Sequence, residues 1–312
     1  MAIATVAVRF GLYLVLMIQF GVAAFSLYGL RGAERTSGRV LPSASTILAT
    51  AVGGAVLSLL SIIVLTASMA GVAITEVDRP TLAMLVGQTS VGVAFQVRVG
   101  ALLLAGAASL FIRHSRYAGA ALGLVVVAAG IAIGTLAWSG HGAATEGALS
   151  RIHLAADIIH LLASAGWIGA LMALLVLIFR SGRRITEDQL RLSHRALASF
   201  ASTGTILVAA LVATGIGNML AIVGLTGLVR LPFSLYGQLL VAKLLLFAVM
   251  LALAAANRFR LVPRFETAMT AGDHRRALGA LRRSLTVEAS CAIAILALVA
   301  WLGTLDPSGE TM

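Results

Sequence analysis

The run His153-Leu-Ala-Ala-Asp157-Ile-Ile-His160-Leu-Leu-Ala-Ser164-Ala-Gly-Trp167 continues without another charge to Phe179 and stops at Arg180. At about 1.5 Å per residue, a helix over 153–179 is long enough to cross a hydrocarbon core of about 30 Å. At 100° per residue, Asp157, His160, Ser164 and Trp167 all fall within roughly 40° of His153. Two imidazoles, a carboxylate and an indole therefore share one stripe of an otherwise Leu/Ile/Ala helix. Burying such groups in lipid is unfavourable without partners, so the stripe marks a place where the chain does something other than pack. Trp138-Ser-Gly-His141 precedes it and adds a third imidazole at the rim.

The rest of the chain agrees with a membrane reading. Of its 312 residues 60% are hydrophobic and only 11% charged, and the mean hydropathy is +1.01. Soluble domains carry about 25% charged residues, so a polytopic all-α membrane protein is expected. Eight apolar spans can be marked, at about 6–30, 46–74, 91–112, 118–138, 153–179, 196–225, 237–257 and 284–304, forming one integral-membrane domain over 1–312. The first span lacks a basic leader and a small-residue cleavage site, and reads as a retained helix.

The net charge of +11 is not a nucleic-acid signature, because the arginines lie between spans. Arg31, Arg35 and Arg39 follow span one, Arg113 and Arg116 span three, and Arg180, Arg183, Arg184, Arg191 and Arg195 span five. A further basic run extends from Arg258 to Arg283, whereas the alternate loops hold only Arg79, Arg151 and Arg230. By the positive-inside rule the basic loops are cytoplasmic, both termini face outward, and anionic lipid is the partner of the arginines. Within the basic loops, Thr186-Glu-Asp-Gln189 has the form of a capping box, and residues 264–283 suit a short interfacial helix or a solvated loop. The lone cysteine, Cys291, excludes an intramolecular disulfide and a Cys-based metal site.

That orientation fixes depth. His153 sits at the outer interface, His160 roughly 10 Å deeper, and His141 outside or at the rim. Arg98, Lys243 and Asn218 lie at depths like that of His160, with Met69, Met84 and Met219 also on the outer side. Imidazole with thioether suits copper, in either oxidation state for His and as Cu+ for Met. His153 and His160 are too far apart along one helix to share an ion. Two stations are expected instead: His141 with His153 near the surface, and His160 deeper, with Asp157 between them. A hydrogen-bonded packing network would use the same residues. Arg98 and Lys243 donate and cannot coordinate while protonated, so they would support the site. Glu288 is expected to bond Asn257 or an arginine such as Arg195 or Arg258.

Ser139-Gly-His141, the His153…Asp157…His160…Trp167-Ile-Gly169 run, Tyr236-Gly237…Lys243, Asn257-Arg258 and Leu281-Arg-Arg-Ser284…Glu288 together resemble the CopD family of bacterial copper-resistance membrane proteins. The resemblance implies copper, whereas the residues alone imply an outward-facing His-rich site. It implies a multi-pass protein of the bacterial inner membrane that moves Cu+ or Cu2+, beside a separate periplasmic copper-binding protein of CopC type. His141, His153, Asp157 and His160 would be the metal ligands, joined by Met69 or Met219. Trp138 and Trp167 would line or close the route, and Arg98, Lys243 and Glu288 would support it. No nucleotide-binding loop is present, so transport is expected to be passive or coupled to an ion gradient, and the chain is not read as an enzyme. The alternative is a haem b electron-transfer protein using two of the histidines as axial ligands, which requires histidines on facing helices at matched depth.

Overall fold

A computed structural model of the chain describes residues 2–38, 40–41, 43–139, 150–180, 187–227, 233–271 and 274–305. His141 and Thr186, and with Thr186 the start of the capping box, lie outside the described residues. Among those described the secondary structure is helical throughout, with no strand. Eight helices are long and apolar enough to cross a membrane, matching the eight spans expected. They are α1 (Ala2–Tyr28), α3 (Ser43–Ala70), α5 (Ser90–Ser109), α6 (Ala118–Gly134), α7 (Ser150–Arg180), α8 (Glu187–Gly227), α9 (Leu235–Ala256) and α11 (His274–Leu302). Three short helices complete the set: α2 (Ala33–Thr36), α4 (Arg79–Gln88) and α10 (Val262–Ala271).

The bundle is built around α1, which packs against α3, α6, α7 and α11. Leu16 and Phe25 of α1 are fully buried. On one side α3, α5 and α6 form a compact group. On the other, α7 carries α8, and α11 carries α9. Outward faces bear Leu60, Leu103, Ile131 and Ile206, all exposed. In lipid an apolar outer face is the stable arrangement, because every backbone polar group is satisfied within its own helix.

The tightest joint is between α1 and α7. A Cβ built on Gly21 would run into the Ala165 carbonyl oxygen and the Gly169 Cα, and one on Gly169 would run into Gly21 Cα. Between helices in lipid there is little hydrophobic drive, so close backbone approach through small residues supplies the attraction.

Two segments differ from the sequence expectation. Residues 264–283 do not form one interfacial helix: α10 ends at Ala271, and Leu278 and Leu281 are buried in α11, which runs on through span eight. Leu278, Leu281, Leu285, Ala289, Ala292 and Leu296 continue one buried stripe, so the basic segment is the first part of a spanning helix. Likewise the helical path does not end with span seven near residue 257 but widens from α9 into a π-helical turn, Asn257–Leu261, that leads into α10. Pro263 follows this turn; it lacks an N–H and its ring crowds the preceding turn, which opens the helix locally.

The Gly21–Gly169 contact predicts that Gly21→Ala or Gly169→Ala lowers the stability of the detergent-solubilised chain by about 2 kcal/mol or more, the cost of overpacking a close contact. Gly217 on α8 faces open space, so Gly217→Ala should leave it unchanged or raise it slightly. Thermal unfolding of the three variants checks this.

Candidate functional site

The stripe of α7 opens into a cavity of about 450 Å³ bounded by α1, α7, α8, α9 and α11. His153, Asp157, His160, Ser164 and Trp167 all line it, as their common helical face requires. Most of the remaining wall is apolar, so charges inside interact more strongly than they would in water.

Asp157 stands at the centre of the polar wall. Asn218 Nδ2 of α8 donates to its Oδ1 at 3.3 Å. His153 and Lys243, the latter from α9, lie within electrostatic reach of its carboxylate. Lys243, the chain's single lysine, is therefore a counter-charge to Asp157 and borders the same cavity.

His160 is held from α8. Its Nδ1 lies 3.0 Å from Thr214 Oγ1, and the Thr214 hydroxyl donates to the Ala210 carbonyl at 2.5 Å. A hydroxyl that donates to Ala210 accepts from the ring, which favours the tautomer with the proton on Nδ1 and the lone pair on Nε2. The ring lies against α8 at Gly215, where a Cβ would make an ordinary contact 3.6 Å from the imidazole Cε1.

Trp167 forms the floor. Its Nε1–H donates to Glu288 Oε1 of α11 at 3.2 Å, and its indole meets Phe200 of α8 edge to face, 5.7 Å between centroids. Asn257 Nδ2, at the start of the π turn, donates to Glu288 Oε2 at 2.9 Å. Glu288 therefore pairs with Asn257, as expected, and not with the arginines considered: Arg195 bonds Glu34, while Arg258 donates to the Ala201 carbonyl and to Thr205.

The other sequence candidates are dispersed. Met219 lines the cavity, but Met69 and Met84 are exposed and do not. Arg98 of α5 is buried behind Tyr13, which borders the cavity and is within electrostatic reach of the guanidinium. Trp138, in the 3₁₀ turn Thr135–Ser139, lines a separate groove with Ile158 against α5 and α6. Arg9, Tyr13, Met17 and Met250, none of them singled out from the sequence, also line the cavity, as does Tyr236 of the Tyr236-Gly237…Lys243 motif. Arg9 was detectable as an arginine inside an apolar span. The two methionines carry no signal that separates them from core. Among the described residues no three His, Cys, Asp or Glu side chains cluster closely enough to hold one metal ion.

Residues 1–152 match the family model described as copper resistance protein D-like, N-terminal domain, and residues 194–302 the model described as copper resistance protein D. The chain is 43% identical over 308 residues to copper resistance protein D of Pseudomonas syringae pv. tomato, covering 98% of this chain and 97% of that protein. It is 29% identical to inner membrane protein YebZ of Escherichia coli (strain K12), covering 98% and 99% respectively. No solved structure matches significantly.

The bond from His160 to Thr214 predicts a defined tautomer. Nitrogen-15 NMR of histidine-labelled protein, assigned by a His160→Ala variant, should show His160 protonated at Nδ1. In Thr214→Val it should become a mixture of tautomers. A wild-type ring protonated at Nε2 would contradict the assignment.

Proposed function

The chain belongs to the copper resistance protein D family and is a multi-pass protein of the inner membrane, and from that premise we propose that it is a permease whose cargo is copper, taken up through the α7 cavity. One observation carries the reading. His153, Asp157, His160 and Met219, on two adjoining helices, border a single cavity that also holds a charge-balancing lysine. Nitrogen and sulfur donors in an apolar pocket suit copper over hard cations such as Mg2+.

His153 is buried near the start of α7, and His160 stands two turns deeper. In this reading His153 and His141 collect the ion. His160 receives it, with its ring orientation fixed by Thr214 and the lone pair left on Nε2. Asp157 lies between them and exchanges its attraction to Lys243 for attraction to the cargo. Arginine-rich loops at one end of the bundle support an orientation with that end in the cytoplasm, both termini outside and the cavity facing outward. A separate periplasmic copper-binding protein of CopC type would deliver the ion to that face. Among the described residues, the two histidines that border the cavity stand on one helix, so this pair does not clamp a haem from opposite faces.

Uptake into vesicles against external copper, normalised to folded protein, separates the roles. His153→Ala should raise half-saturating copper about tenfold or more while the plateau is retained. His160→Ala should lower the plateau. Asp157→Asn, which removes the charge that orients and balances the site, should resemble His160→Ala and weaken copper binding about 10- to 100-fold. If all three normalised curves overlay the wild type, the stripe is scaffold and the reading fails.

The orientation has its own check. In a background lacking Cys291, single cysteines at Arg35 or Arg183 should resist an impermeant thiol reagent added outside intact cells. Those at Gly147 or Ser308 should react; the reverse pattern overturns the topology.

A further inference from the structure

Below the cavity floor lies a carboxyl group that the relay does not use. Glu288 is 1% exposed and Asn257 7%. The two donors that reach Glu288, the Trp167 indole and the Asn257 amide, are neutral. Among the described residues no cation forms an ion pair with it.

Among the described residues, the charged groups of the surrounding helices bond or point elsewhere, and the Tyr28 hydroxyl of α1 is buried with no hydrogen-bond partner. From α1, Arg9 donates to the Gly303 carbonyl at 2.8 Å, and Tyr13 faces Arg98. From α7, Asp157 and His160 turn to Asn218 and Thr214, and Arg180 donates to the Gly38 carbonyl. From α9, Lys243 faces Asp157. In the π turn and α10, Arg258 reaches Ala201 and Thr205, Arg260 and Arg264 are exposed, and Glu266 pairs with His194 at 3.6 Å. On α11 itself, Arg282 donates to the Ile178 carbonyl at 2.9 Å, Arg276 and Arg283 are exposed, and Cys291 is half-buried. With no cation paired to it among the described residues, Glu288 sheds its charge by binding a proton.

Asn257 fits that chemistry. Its Oδ1 is buried without a hydrogen-bond partner, so its amide can serve both states of the acid. As placed, it donates to a carboxylate. Turned by 180°, it offers Oδ1 to a carboxylic O–H. Trp167 touches both compartments, since it lines the cavity and donates its N–H to Glu288.

We propose that Glu288, with Asn257 as its switchable partner and Trp167 as the wall between it and the cavity, is a proton-binding site that loads and unloads as copper passes. The proton adds to one Glu288 carboxylate oxygen from the water on one side and leaves to water on the other, without redox change. For its cargo the inference rests on the copper reading above; the proton site does not.

The full chain in phosphatidylethanolamine–phosphatidylglycerol vesicles, with entrapped pH and copper indicators, tests it. Copper is supplied in each oxidation state. A pH gradient of one unit should shift the final copper ratio about tenfold for each proton coupled, because a tenfold change in an equilibrium is 1.4 kcal/mol. Glu288→Gln, similar in size and still offering an oxygen to Trp167, should make copper distribution indifferent to the gradient, and Glu288→Asp should retain the response. A merely structural role would lower the folded fraction but leave the response per folded protein, and that result overturns the proposal.

Infrared spectroscopy provides a readout without copper. The carbonyl stretch of a protonated carboxyl should titrate with pH in the wild type, vanish in Glu288→Gln, and change its midpoint in Asn257→Ala. If copper does not move but this band behaves so, the copper reading fails and the proton site stands. If the band is absent from the wild type, or its midpoint ignores Asn257→Ala, the proton site fails, including the case in which Glu288→Gln does not fold.

Discussion

Two glycines decide where everything else points. Gly21 and Gly169 bring the backbones of α1 and α7 into contact, and Gly169 lies about 160° around α7 from His153. With α1 seated against α7 at this point, the polar stripe is turned into the cavity that α8, α9 and α11 complete and that Arg9, Tyr13 and Met17 of α1 also line. The joint therefore serves as more than adhesion. It sets the rotation of the one helix whose rotation matters, and a side chain at either glycine would have to move the stripe as well as the backbone.

Around that joint the polar groups obey the rule that hydrocarbon imposes, namely that each must find its partner inside the protein. The partners come from different helices. Thr214 and Asn218 of α8 answer His160 and Asp157 of α7, and Lys243 of α9 balances Asp157. Trp167 of α7 and Asn257 beyond α9 answer Glu288 of α11. Loss of one member leaves the other unsatisfied in an apolar setting, so these bonds couple the helices that a moving ion would pass between.

Much of this was legible in the sequence, for a specific reason. The spans follow from hydropathy and length, and the stripe follows from a period that needs no tertiary knowledge, so His153, Asp157, His160 and Trp167 could be placed on one face in advance. Partnership across helices was harder to read. Asn257 could be named for Glu288 because both fall at similar depth near the same end. Thr214 could not be named for His160, since a threonine in an apolar helix usually bonds its own backbone. Met69 and Met84 shared the depth of the site but not its azimuth, and depth is all that topology supplies. Residues 264–283 misled because their charges suggested a surface while their leucines continued the core stripe of α11.

The bond from Arg9 to the Gly303 carbonyl ties the first helix to the end of the last. Arg9 lies two turns into α1, and Gly303 directly follows α11, so the two ends of the described helical chain emerge side by side. Sequence order is then separable from architecture. A short linker could join these ends and the chain could be cut at another loop without moving a helix. For such a circular permutant the membrane would supply the same packing, and only the order of insertion would differ.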